Sequence, residues 1–270
     1  MTTQRVLIVV ETYPHPSHTY QELVCTAGML EDGTFIRLYP IDYRYRPKHQ
    51  KYKKYQWIEV DVTKSNDFRP ESYRPNLDTL HILGQPLPSD NAWAERKKIV
   101  LAKPVKSMCK LRAAYEQDHT SLGIIKPQKI MGVQAKAVER DWKQSHQAAI
   151  AQFSLFAQEK KPLEKIPYEF SYHFFCDETC KGHTMQITDW EVGALFLKEV
   201  KRLGSEQKAV RSVEQKFFDD LCGSDKDTHF FVGTTLPYNS WIVLGVFYPK
   251  KIMELPEPKR TEPKQTSMDF

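Results

Sequence analysis

Apolar and polar positions along this chain change over in short runs, and few runs are long enough for anything but a strand. Residues 5–11 (Arg-Val-Leu-Ile-Val-Val-Glu) hold an unbroken apolar run, Val6–Val10, rich in β-branched side chains, the pattern of a buried first strand. Thr12-Tyr13-Pro14-His15-Pro16-Ser17 ends it, because closely spaced prolines continue neither a ladder nor a helix interior. Glu31-Asp32-Gly33 is a hairpin turn by composition, followed by alternating strands over Thr34–Tyr39 and Gln56–Thr63. Asp67–Pro75 predicts an extended excursion punctuated by proline.

Further on, Trp93–Val100 and Met108–Gln117 predict short helices, and 121–127 and Ile130–Val138 predict strands. The lysine- and proline-bearing stretch Gln158–Pro167 is the best internal boundary, with Tyr168–Cys176 a strand beyond it. Thr188-Asp189-Trp190-Glu191 has capping-box spacing, with Thr188 as the cap of a helix that Gly204 stops. Ser205 caps a second helix whose apolar stripe is Val210, Val213, Phe217 and Leu221. A hairpin over Thr228–Thr235 and Ser240–Tyr248 closes the fold.

The fold class these elements predict is β-rich α+β: an OB-like barrel with additions over 1–157, a smaller α+β unit over 158–248, and a proline-rich, disordered tail over 249–270. Composition narrows the setting. The chain has 270 residues, 40% hydrophobic and 27% charged, with a mean hydropathy of −0.57, which suits an ordinary core under a polar surface. No apolar run approaches the roughly 18 residues of a membrane-spanning helix. No cleavage-site pattern precedes the first strand, and five cysteines are an odd number in a chain too long to need staples. A cytoplasmic, reducing environment is expected.

The net charge of +5 matters less than where the charge sits. Between Arg37 and Trp57 lie Arg37, Arg44, Arg46, Lys48, Lys51, Lys53 and Lys54, interleaved with Tyr39, Tyr43, Tyr45, Tyr52, Tyr55 and Trp57, and Asp42 is the sole acid. Cations attract phosphates by counterion release, and rings among them offer bases a stacking surface. The stretch predicts contact with DNA or RNA: Arg37, Arg44, Arg46, Lys51, Lys53 and Lys54 on phosphate, Tyr43, Tyr45, Tyr52 and Trp57 stacking. The same composition also suits a solvated hairpin, since lysine and arginine stems cover apolar surface and tyrosines favour strands.

Cys176-x3-Cys180-x2-His183 brings two thiols and an imidazole to one loop, a set that can converge on a tetrahedral zinc ion. A fourth ligand would come from His173, Cys222, His229 or Asp189; without a metal the set reads as two buried thiols and a hydrogen-bonded histidine. Asp189 and Glu191, beside Glu178, could serve a metal-dependent enzyme acting on nucleic acid or nucleotides, although the capping box already accounts for Glu191. The sequence contains no P-loop, Gly-x-Gly-x-x-Gly, Gly-x-Ser-x-Gly or His-Glu-x-x-His motif.

The chain ends Gln265-Thr266-Ser267-Met268-Asp269-Phe270. This resembles the short motif by which replication and repair proteins dock on sliding clamps. The resemblance implies a polar contact from Gln265 and apolar pockets for Met268 and Phe270. The opening residues carry a second resemblance. Thr12–Tyr20, the Cys25-Thr26-Ala27-Gly28 step and the Gly33-Thr34-Phe35-Ile36-Arg37 strand are similar to an uncharacterised bacterial family described as dual OB-fold domain proteins, found near conflict and defence genes; the likeness covers about the first 75 residues. It implies a barrel that binds single strands on a curved face, with Cys25 and Gly28 as packing positions. The reading that joins these features is a nucleic-acid-binding accessory protein of replication, repair or defence, recruited through its tail. The rivals are the metal-dependent enzyme and a pure interaction module.

Overall fold

The computed structural model describes residues 1–17, 21–144, 146–147, 163–236 and 239–252. The first half is one six-stranded sheet whose strands are β1 (Thr2–Glu11), β2 (His15–Ser17), β3 (Gln21–Met29), β4 (Phe35–Ile41), β5 (Trp57–Lys64) and β6 (Ser72–Leu83). β1 pairs antiparallel with both β3 and β5, setting Ile8 opposite Gly28 and Val6 opposite Ile58. β5 pairs with β6, β3 with β4, and β4 runs parallel to β6 with Leu38 opposite Tyr73. Pairing therefore runs β1–β5–β6–β4–β3 and back to β1, so each of these strands has two neighbours in the circuit, and β3 pairs with β2 besides.

This circuit explains why β1 is apolar on both faces. Val6 and Ile8 fill the space inside it with Ile36, Leu38, Tyr52, Ile58 and Val60. Leu7, Val9 and Val10 point the other way, into a second core with Phe231, Ile242, Leu244 and Phe247. A bulge between Ile8 and Val10 shifts the alternation along the strand. Gly28 is required where β3 crosses β1, since a Cβ there would lie 2.2 Å from a Val6 methyl.

Two helices follow, α1 (Asp90–Val100) and α2 (Met108–Asp118), the second capped by Ser107, whose hydroxyl accepts the Lys110 N–H. Two three-stranded sheets make up the rest. One holds β8 (Lys129–Ala137), β9 (Tyr168–Phe175) and β10 (His183–Gln186); the other holds β7 (Leu122–Ile125), β11 (His229–Thr235) and β12 (Ser240–Phe247). Helices α3 (Trp190–Leu203) and α4 (Glu206–Gln215), the latter widening into a π-turn over Lys216–Asp220, close a core of Phe170, Tyr172, Phe174, Phe196, Val213, Phe217 and Phe230. β8 pairs with β9 across the stretch in which the boundary is expected, and β7 pairs with β11 near the chain's end.

Several expectations need correction. β3 and β10 are strands that the pattern does not single out, and β6 begins inside the proline-bearing excursion at Ser72 and runs eight residues past Pro75 to Leu83. Pro75 costs that strand a donor but not its extended backbone. The cap of α3 is Asp189, whose carboxylate accepts the Glu191 N–H at 3.0 Å, and not Thr188, whose hydroxyl donates to the Val243 carbonyl. The tail motif of Gln265, Met268 and Phe270 lies outside the described residues.

Candidate metal centre and the predicted nucleic-acid surface

The β9–β10 hairpin turns through Cys176–Gly182, and its loop is built by local hydrogen bonds. The Asp177 carboxylate accepts from the Thr179 N–H and hydroxyl at 3.0 and 2.7 Å, and the Asp177 carbonyl accepts from the Cys180 N–H. Gly182 sits at φ +92, where a side chain would be strained, and its N–H points at the Cys180 Sγ at 3.4 Å. These contacts turn Cys176, Cys180 and His183 toward one point.

The fourth group there is Cys109, in the first turn of α2 and remote in sequence. All four ligand atoms lie within 4.8 Å of one another. Cys109 Sγ is 3.4 Å from Cys176 Sγ, 4.0 Å from Cys180 Sγ and 3.5 Å from His183 Nε2, and Cys176 Sγ is 3.5 Å from the same nitrogen. A tetrahedral zinc ion would hold its sulfurs about 3.8 Å apart and sulfur from nitrogen about 3.6 Å apart. The donor set fits a metal ion such as zinc. Burial, then the Arg112 charge, lowers the His183 pKa and favours the neutral imidazole that ligates. Partial burial, then Cys176, pushes the Cys109 thiol up to about 12, a cost that a dication at the centre would reverse.

The fourth-ligand candidates from sequence are placed elsewhere. His173 bonds Thr184, Cys222 lies on the Phe217 carbonyl, and His229 faces the Asp227 carbonyl. Asp189 is buried against Lys54. The only signal for Cys109 was its residue type; nothing in its spacing ties it to the hairpin.

The predicted phosphate and stacking residues divide by burial. Arg37 is enclosed, donating to Ser72 Oγ at 3.1 Å and Ser121 Oγ at 2.9 Å, while Glu71 accepts from the same Ser121. Tyr52 is fully buried with its hydroxyl on Thr26, so its ring belongs to the core and offers no base a face. Lys54 Nζ lies 2.8 Å from both Asp189 carboxylate oxygens and 3.2 Å from Glu191, which hold it protonated although burial alone would favour the neutral amine. These three were expected on the surface; each is instead turned inward by a partner distant in sequence. Tyr43 packs between Tyr52 and Trp190, Arg44 and Tyr45 hold Glu22, and Arg46 pairs with Asp42. Lys53 is exposed, as is the neighbouring Lys48, while Lys51 and Trp57 are half-buried, the latter beneath Arg5.

The protein is thus a β-rich α+β chain with a Cys3His centre that could hold a metal. Residues 104–267 match a family described as a domain of unknown function, DUF8757, and because the match spans more than half of the chain, the protein belongs to that family. Residues 2–102 match a second family of the same description, DUF8758. No curated protein matches the chain. Among solved structures, a murine DNA-binding protein bound to double-stranded DNA is similar at 11% identity over 95% of this chain and 100% of its own, with a TM-score of 0.32, a likeness too slight to carry a fold or a ligand across. Among the described residues no helix is long and apolar enough to cross a membrane.

Proposed function

We propose that residues 2–83 are an OB-type barrel, that the Cys3His centre holds zinc in a structural role, and that the protein binds nucleic acid. One observation carries the reading: five strands that return to the first through a single parallel step, β4 on β6, the pairing scheme of a barrel whose open face accommodates oligonucleotides. Lys48, Lys51 and Lys53 supply the available charge in the β4–β5 connection. The four-ligand set argues against a metal-dependent enzyme, because a filled tetrahedron leaves no coordination position for water or substrate.

Fluorescence anisotropy with labelled single- and double-stranded DNA and RNA over a salt series tests this. Changing Lys48, Lys51 and Lys53 together to Glu should weaken binding to every sequence and reduce the salt slope by about 2 to 3. Absence of binding at low salt would overturn the reading. Recruitment to replicating DNA is a second part of the proposal, resting on Gln265, Met268 and Phe270. A peptide spanning 262–270 should compete with the full chain for a purified sliding clamp, and the M268A/F270A peptide should not.

A further inference from the structure

Away from the lysines, three elements converge on an open groove of about 930 Å3. The β5–β6 connection brings Phe68, 51% exposed; the outer face of α2 brings Arg112, Tyr115 and His119; and the start of β12 brings Trp241. The rings form a chain of edge-to-face contacts. Trp241 to Tyr115 is 6.0 Å between centroids, Tyr115 to His119 is 5.9 Å, and His119 to Phe68 is 5.1 Å. Arg112 and one acid, Glu116, flank them.

The groove is held in shape before any ligand arrives. Arg69, next to Phe68, is clamped by Asp67 and donates to the Thr234 carbonyl at 3.1 Å, while Ser72 donates to the same Asp67 at 2.9 Å. This fixes the loop against the end of β11. Arg112 lies one turn on from Cys109 in α2, so the candidate metal centre anchors the helix that carries Arg112 and Tyr115 and that ends at its left-handed C-cap, His119. Rings already ordered in this way lose little entropy on binding.

We propose that this groove is a stacking site for unpaired bases, and that it confers preference for single-stranded over double-stranded nucleic acid. The inference rests on the nucleic-acid reading above and adds an aromatic component to it, since the 37–57 stretch gives up Tyr52 to the core and packs Tyr43 against Tyr52 and Trp190. A duplex keeps its base faces covered, whereas exposed rings beside a guanidinium recognise bases without regard to sequence.

The test uses the full chain and a single-stranded oligonucleotide carrying 5-iodouracil, with photocrosslinks mapped by mass spectrometry and affinity measured in parallel. Crosslinks should fall on the peptides holding Phe68, Tyr115 or Trp241. The F68A/R112A variant, which alters only exposed side chains, should bind single strands about tenfold more weakly while keeping its metal content and its melting temperature. Crosslinks confined to 43–57 with unchanged affinity in the variant would overturn the groove and leave the nucleic-acid reading standing. Failure of the wild-type chain to bind any nucleic acid would overturn both, and would leave the rings to a protein partner.

Discussion

Two polar centres tie distant segments of this molecule together, and they differ in what meets their charge. Around Asp189, the acids Glu11, Asp189 and Glu191 gather on Lys54, a cation that the chain itself supplies. Around Cys176, three thiols and an imidazole gather within 4.8 Å of one another, with the Arg112 charge acting on the imidazole. In the first, Lys54 pairs with Asp189 and Glu191 while Glu11 lies buried beside them. The second is a donor set that could hold a metal such as zinc. Both join parts far apart in sequence: Lys54 in the β4–β5 connection to the α3 cap, and α2 to the β9–β10 hairpin. The difference teaches that similar clusters of acidic or nucleophilic groups should be read by what neutralises them, since one draws its cation from the chain and the other has the donors to take one from outside.

The largest effect expected is therefore metal removal. Purified protein should carry one metal ion per chain by elemental analysis, and chelation or Cys180→Ser should cost more than roughly 5 kcal/mol, given the scale of structural zinc binding. Metal-free protein melting at an unchanged temperature would break the comparison. Next comes Lys54→Met, which leaves the Asp189 side chain, 1% exposed, without its cation and should destabilise by about 3–5 kcal/mol in denaturant unfolding. Adding Asp189→Asn should recover much of that loss, since asparagine still caps α3; no recovery would mean that the charge is not what Lys54 answers.

A smaller and pH-dependent effect belongs to Glu11. Burial raises its pKa from 4.5 to about 7, with Lys54 opposing and Asp189 adding to the rise. The native state thus holds a proton that the unfolded chain has already released, so stability falls as pH climbs from about 4.5 through about 7, by on the order of 3 kcal/mol. Glu11→Gln should flatten that slope in thermal melts at pH 5 and pH 8. A wild-type slope that survives the substitution would assign the titration to another group.

Local patterns in the chain determined much of the frame. The double-faced apolar run of β1, the Asp32-Gly33 turn, the Gly204 stop between α3 and α4, and the strands β7, β8, β9, β11 and β12 follow from propensity and periodicity, which act over a few residues. The Cys176, Cys180 and His183 set was legible for the same reason, since one hairpin loop holds all of it. Partners that the fold brings together from afar were not legible. Cys109 completes the ligand set from 67 residues upstream, Asp189 withdraws Lys54 from the surface across 135 residues, and Ser121 does the same for Arg37 across 84. Charge and aromaticity in the 37–57 stretch are properties of sequence. Which of those side chains face water depends on burial against distant segments, and only the tertiary structure decides that.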